Sequence, residues 1–369
     1  MFGLIDARYY HNIYDLIVVF LSVIVFSQYR RKRFENIASS KESPAIYMVL
    51  LSAFMILFIG LRPVSGAYFI DMASYNHIYL LQMGEPFSFE WDTDNIIFDN
   101  LFSFMASQNI AVDFFFLLIA VIYFGCIAWA CSSLFEQDKL AALLVYLAAF
   151  STFSYGVNGI KAGAAASLFL VALKYDMKKG WLGALVFLLL SQGFHHSMIL
   201  PISAFILCKF IRSPRVFIVF WIICFFIAAL HITEIQHFFA NFVDEQGAGY
   251  LLGEEENVRH DILNGFRIDF ILYSFAPILV GWIAVRRGIE MSRNYRFLFC
   301  LYTLTNAIWL LCMYAEFTNR IAYLSWFLLP IVLIYPFLNE SWGKRQYQTF
   351  RWVAYAHLAF TLFMNYIYY

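Results

Sequence analysis

Apolar residues fall in long runs over almost the whole chain, separated by short polar breaks. Crossing the hydrocarbon core of a bilayer takes roughly 20 apolar residues in a helix, with about 17–25 tolerated. Runs near that length occupy 13–29, 45–61, 112–134, 140–157, 160–175, 181–197, 198–211, 216–232, 268–285, 297–315, 320–338 and 352–368. The pattern predicts an all-α, polytopic integral membrane helix bundle of about 12 transmembrane helices in a GT-C-like architecture. The pair that meets around Met198 to Pro201 reads either as two crossings or as a re-entrant hairpin. No fixed-period repeat or low-complexity linker divides the chain, so residues 1–369 read as a single transmembrane domain.

Basic residues orient the spans. With the N-terminus outside and the runs alternating, inner connections collect Arg30-Arg31-Lys32-Arg33 and most other cations, as the positive-inside trend requires. Of the 25 Lys and Arg, Arg8, Arg62, Lys161, Arg259, Arg267 and Arg320 fall outside. Both termini then lie outside. The first run, followed by its basic cluster, resembles an uncleaved span rather than a cleavable signal peptide. Two outer connections are long, 62–111 and 232–267, and the others are tight. Long connections commonly carry function, which points to an outer-face active site.

Composition sharpens the class. Only 14% of residues are charged and 62% are hydrophobic, whereas soluble domains carry about a quarter charged residues. The 42 Phe and 24 Tyr suit lipid contact and interfacial belts. A formal net charge of zero gives no reason to expect a nucleic-acid partner. All six Cys lie inside apolar runs without metal or redox spacing and read as small core hydrophobes. No P-loop, Gly-rich dinucleotide turn, HExxH or Ser nucleophile elbow occurs, so ATP-driven transport and metalloprotease chemistry lose their usual anchors.

Cations placed against the positive-inside trend need a reason. Arg62, Lys161, Arg267 and Arg320 stand at or beside the outer ends of spans. One reading is an anionic ligand such as a lipid-linked diphosphate, which Arg grips with two parallel hydrogen bonds. The other is a neighbouring carboxylate, or snorkelling to the interface. Arg62 opens a segment in which Pro63 and Gly66 break the preceding helix. If a surface helix restarts there, Asp71 and Tyr75 share one face at i, i+4. Asp71 is then a candidate base or a helix N-terminal carboxylate. Gly159, Gly163 and Ser167 form a small-residue stripe for close helix contact, and Lys161 lies on the other side of that helix.

His195 and His196 end the sixth run, one as a candidate base or phosphate donor, both equally as helix-contact residues. Glu316 pairs with Arg320 at i, i+4 or leaves it to a ligand. Asp92-Thr93-Asp94 matches a metal–nucleotide motif over only three residues, and no metal is assigned. Phe87, Phe89 and Trp91, beside Glu85, Glu90 and Asp92, read as a sugar-stacking surface or as an aromatic belt with solvated charges.

Four segments carry a family resemblance. They are Arg62, Gly66, Asp71 and Tyr75 after the second span; Lys161 opening an Ala/Gly-rich span; Phe194, His195 and Ser197 at a span's end; and Arg320 to Tyr323 opening a late span. In this order, over most of the chain, they resemble the EpsG family, relatives of the Wzy polysaccharide polymerases. Gly66 and Asp71 stand farther apart than in relatives, and Lys161 replaces an Arg.

The resemblance implies a metal-independent glycosyltransferase without cofactor in a bacterial plasma (inner) membrane. It would polymerise polyprenyl-diphosphate-linked oligosaccharide repeat units at the outer face, for O-antigen, capsule or exopolysaccharide. Arg62, Lys161, Arg267 and Arg320 would bind the substrate diphosphate, His195 or Asp71 would act as base, and Tyr75 and Trp91 would bind sugar. A chain-length regulator and a flippase of the same pathway are the implied partners. The alternatives are a transporter or flippase of lipid-linked oligosaccharide, and an outer-face ligase. Cations gathered at span ends, with span centres of Phe, Leu and Ala, disfavour transport.

Overall fold

The computed structural model describes residues 5–29, 45–232, 234, 265–315 and 317–368, and every regular element among them is helical. Arg30 to Arg33, Lys41, Arg259, Glu316 and most of the 232–267 connection lie outside the described residues. The chain forms two compact units, Met1–His195 with Lys344–Tyr369, and His196–Gly343.

The first unit holds α1 (Tyr10–Ser27), α2 (Ala45–Gly60), α3 (Ile70–Gln82), α4 (Ile96–Ser107), α5 (Val112–Leu134), α6 (Lys139–Leu147), α7 (Thr152–Val157), α8 (Ile160–Met177), α9 (Trp181–Phe194) and α16 (Gln346–Phe363). The long apolar α5 is the hub, with α2, α6 and α8 packed on it and α9 packed on α8. The small-residue stripe explains that closeness. A Cβ on Gly163 would stand 2.5 Å from the Tyr155 carbonyl oxygen of α7 and 3.3 Å from the Tyr123 ring of α5, and Ser167 Oγ lies 3.4 Å from the Ile122 carbonyl oxygen of α5. Backbones approach where side chains are missing, which is how helices gain contact when lipid removes the hydrophobic drive.

The second unit holds α10 (Ile199–Phe210), α11 (Pro214–Ala229), α12 (Ile268–Arg286), α13 (Arg293–Leu311), α14 (Thr318–Trp326) and α15 (Leu329–Asn339). Here α13 is central and contacts the other five. Its interior is stitched by indole donors. Trp221 Nε1 donates to Asn306 Oδ1 (2.8 Å), Trp309 Nε1 to Thr318 Oγ1 (3.0 Å) and Trp326 Nε1 to Ser274 Oγ (2.8 Å). Asn306 Nδ2 continues to Ser325 Oγ at 3.0 Å. Each of these buried indole and amide groups thereby finds a partner, as a dry interior demands.

Two expected spans are interrupted. The 140–157 run becomes α6 and α7, because Thr152 Oγ1 turns back to the Tyr146 carbonyl (2.7 Å) and Thr361 Oγ1 takes the Ala148 carbonyl (2.8 Å). Hydroxyls that claim backbone acceptors compete with the helix ladder. The 320–338 run becomes α14 and α15, joined at Phe327–Leu328 just before Pro330, which has no N–H to offer.

Four helical stretches are long and apolar enough to cross a membrane: Ala7–Ser27, Val112–Leu134, Ile268–Arg286 and Thr318–Asn339. Shorter apolar helices accompany them, among them Ala45–Gly60, Trp181–Phe194 and Pro214–Ala229. Large apolar side chains stand on the outer surface, such as Leu16, Phe20, Leu189, Phe210 and Leu272. Such a surface suits lipid, not water. Five cysteines are buried and Cys126 is half-buried, all as free thiols.

The 62–111 stretch is helical over much of its length. Ile70 starts α3, as the restart after Gly66 predicts, and α4 follows from Ile96. Tyr79 of α3 donates its hydroxyl to the Ile110 carbonyl (2.9 Å), and Ser103 Oγ of α4 bonds Gln82 Oε1 (3.1 Å).

Candidate functional site

The site grows around the first turn of α4. Asp99 is the acidic residue of that turn, inside an otherwise apolar segment. Lys161, the second residue of α8, sets its Nζ 3.2 Å from Asp99 Oδ1. The same ammonium lies 5.2 Å from the Phe98 ring centre and 5.9 Å from that of Tyr75. Lys161 and Asp99 keep 26% and 30% of their side-chain surfaces open, so the pair is partly exposed and not a sealed core bridge.

The connection before α4 is pinned to the same turn. Thr93 Oγ1 donates to Asp99 Oδ2. Asn100 clamps Glu90 from both sides, accepting from its N–H at 2.8 Å and donating to its carbonyl at 2.8 Å. That clamp presents Phe89 and Trp91 outward, ring centres 4.6 Å apart, with Trp91 77% exposed. Aspartates 92 and 94 point to the exterior while Thr93 between them turns in.

The end of α9 closes another side. Phe194 meets Phe98 edge-on at 6.2 Å, and a Cβ on Gly193 would strike the Ile97 side chain at 2.5 Å. His195, the next residue, caps α9 with extended backbone, its N–H bonded to the Ser191 carbonyl at 3.1 Å. Asp71 is half-buried in the first turn of α3, one turn before Tyr75. The first unit therefore brings Lys161 and Tyr75 together at α4, with Asp71 on the Tyr75 helix and His195 following the packed end of α9.

The other expected cations have different surroundings. Arg62 is 2% exposed; its Nη1 donates to the Ile59 carbonyl (2.6 Å) and its Nη2 to that of Val157 (2.8 Å). Phe69 and Phe116 flank it at 5.6 and 5.5 Å. Burial pushes its pKa down to about 9, still above neutrality, so it remains a cation. No carboxylate among the described residues pairs with it.

In the second unit, Arg267 caps α12 and grips Asp269 with two bonds, Nε to Oδ1 at 3.0 Å and Nη2 to Oδ2 at 2.6 Å. It also lies 3.7 Å from the Phe270 ring centre. Arg320 is exposed near the start of α14, 5.1 Å from the ring of Phe317, whose φ of 48° turns the chain into that helix.

Asp99 and Asn100 are the residues that sequence reasoning missed. The available signal was a carboxylate and an amide within the apolar stretch 96–106. Polar groups so placed require partners.

Helices of span length with apolar outer faces, and a partly exposed ion pair at helix starts, define a multi-pass membrane protein. The EpsG family pattern matches residues 45–369, and the chain belongs to that family, whose members are Wzy-like polysaccharide polymerases. The resemblance read from the four segments is thus borne out. No curated protein and no solved structure matches the chain.

Proposed function

We propose that this protein is a glycosyltransferase that polymerises polyprenyl-diphosphate-linked oligosaccharide repeat units at the outer face of a bacterial inner membrane. The observation that carries the reading is the partly exposed Lys161, where a cation, a ring and a carboxylate meet at a helix start. In this reading Lys161 meets the donor diphosphate, and Arg320 serves the same role from its exposed position. Arg62 keeps its net charge and adds to the field. Arg267 takes part only by leaving Asp269. Tyr75 and Trp91 contact sugar.

An acceptor hydroxyl gives its proton to His195 or Asp71 and attacks the anomeric carbon of the donor. The bond from that carbon to the diphosphate oxygen breaks, and the electron pair leaves with polyprenyl diphosphate. Fixed cations stabilise the charge that builds on the leaving oxygen. Diphosphate is already a good leaving group, so the chemistry proceeds without a general acid, metal or other cofactor. About twelve crossings in a GT-C-like arrangement, both termini outside, and a chain-length regulator and flippase as partners complete the proposal.

Purified protein supplied with lipid-linked repeat units tests it. Wild type is expected to lengthen the glycan, and Lys161→Ala and Arg320→Ala to leave single units. Transport without lengthening would indicate a flippase, and transfer of finished glycan to a different acceptor would indicate a ligase.

A further inference from the structure

The Asp99 carboxylate is shared. One oxygen holds the Lys161 ammonium at 3.2 Å and the other accepts from the Thr93 hydroxyl. Thr93 belongs to the connection that presents Phe89 and Trp91, so a single side chain ties the Lys161 cation to the exposed rings. We propose that Asp99 is a positioning residue that stands in for the donor diphosphate: it neutralises Lys161 until the donor arrives, then yields it. The inference rests on the reading that Lys161 meets the donor diphosphate.

The physics of the exchange is simple. A half-exposed ion pair is weak because water screens it and two flexible side chains must be held. A diphosphate carries more charge than one carboxylate and offers several acceptor oxygens to a lysine with three donors. The four-carbon stem lets the ammonium swing without moving α8. Once Lys161 leaves, Asp99 has lost one of its two partners, and the Thr93 anchor loses the arrangement that fixed it. Occupancy by the donor is thereby transmitted to the Trp91 loop, where the acceptor sugar is proposed to stack. Donor then binds before acceptor.

Titration of detergent-purified protein with polyprenyl diphosphate tests the exchange, with inorganic pyrophosphate run alongside. Asp99→Asn keeps the shape but frees Lys161, and is expected to bind polyprenyl diphosphate about two- to fivefold tighter than wild type, the range a screened pair allows. Lys161→Met is expected to lose that binding. Emission from Trp91, isolated by subtracting a Trp91→Phe variant, is expected to change on diphosphate binding in wild type. The change should vanish in Thr93→Val, which still binds polyprenyl diphosphate.

In turnover, Asp99→Asn is expected to lower the donor KM. Equal or weaker diphosphate binding by Asp99→Asn overturns the stand-in role. A wild-type Trp91 signal that ignores diphosphate overturns the coupling to the loop. Should Asp99→Asn not fold, Thr93→Val alone decides the coupling. A protein that shows the exchange but never lengthens glycan supports this inference and refutes polymerisation. Equal affinity for inorganic pyrophosphate supports the exchange and refutes a lipid-borne donor.

Discussion

Between the Phe98 and Tyr75 rings, Lys161 keeps a carboxylate at 3.2 Å and still stays about a quarter exposed. Arg62 shows the opposite balance: its two outer nitrogens are spent on the Ile59 and Val157 carbonyls and its surface is nearly gone. Replacing Arg62 by Met should therefore act on stability first. Two buried acceptors lose their donors, at about 1–3 kcal/mol each, so the expected result is a clear drop in the thermal midpoint in detergent. A midpoint equal to wild type would mean that water or lipid head groups satisfy both carbonyls.

At this scale the sequence revealed half of each pair. Lys161 is conspicuous as a cation against the charge bias. Asp99, 62 residues away, is visible only as an odd polar position until the fold brings the two together. Arg267 is equally conspicuous, and its partner Asp269 stands only two positions on, so that pair is legible in the sequence itself.

Elements were more legible than their interruptions. The run 112–134 coincides with α5, and 45–61 and 268–285 lie within a residue of α2 and α12. Apolar length alone fixes such helices. The breaks at Ala148–Ser151 and Phe327–Leu328 depend on side-chain hydroxyls and a proline inside runs that remain apolar on average, so a hydropathy window passes over them. Helix α4 hid within a presumed connection because its polar neighbours diluted its twelve residues.

The α7–α8 contact gives a prediction of its own. Gly163→Ala puts a methyl 2.5 Å from a fixed backbone oxygen, and overpacking of this kind costs about 1–3 kcal/mol. Gly125 on α5 has open space where its Cβ would go, so Gly125→Ala is the matched control and should leave the midpoint unchanged. Equal effects of the two would show that α8 does not approach the Tyr155 backbone of α7 that closely.

At the scale of the whole molecule, family membership and a lipid-compatible surface agree, and the proposed orientation can be measured directly. The native thiols are buried or half-buried, so a membrane-impermeant maleimide should find little background. A cysteine at Ser88, in the connection before α4, is expected to react in intact cells. A cysteine at Gly288, after α12, is expected to react only once the membrane is opened. The reverse pattern would invert the positive-inside assignment and move the Lys161 site to the cytoplasmic face.

Helix α9 has 14 residues, and Leu182, Leu185, Val186 and Leu189 are exposed along it. At about 1.5 Å per residue it reaches roughly 21 Å, well short of a hydrocarbon core of about 30 Å. Lipid beside such a helix must thin to meet it, at a fraction of a kcal/mol per Å of mismatch. On the proposed reading of α9 as a crossing, the bilayer is expected to dimple there, drawing head groups toward the end of α9 that leads to His195. The proposed prenyl-linked donor would then have less far to descend, so turnover in reconstituted vesicles is expected to fall steadily as the acyl chains of the host lipid lengthen.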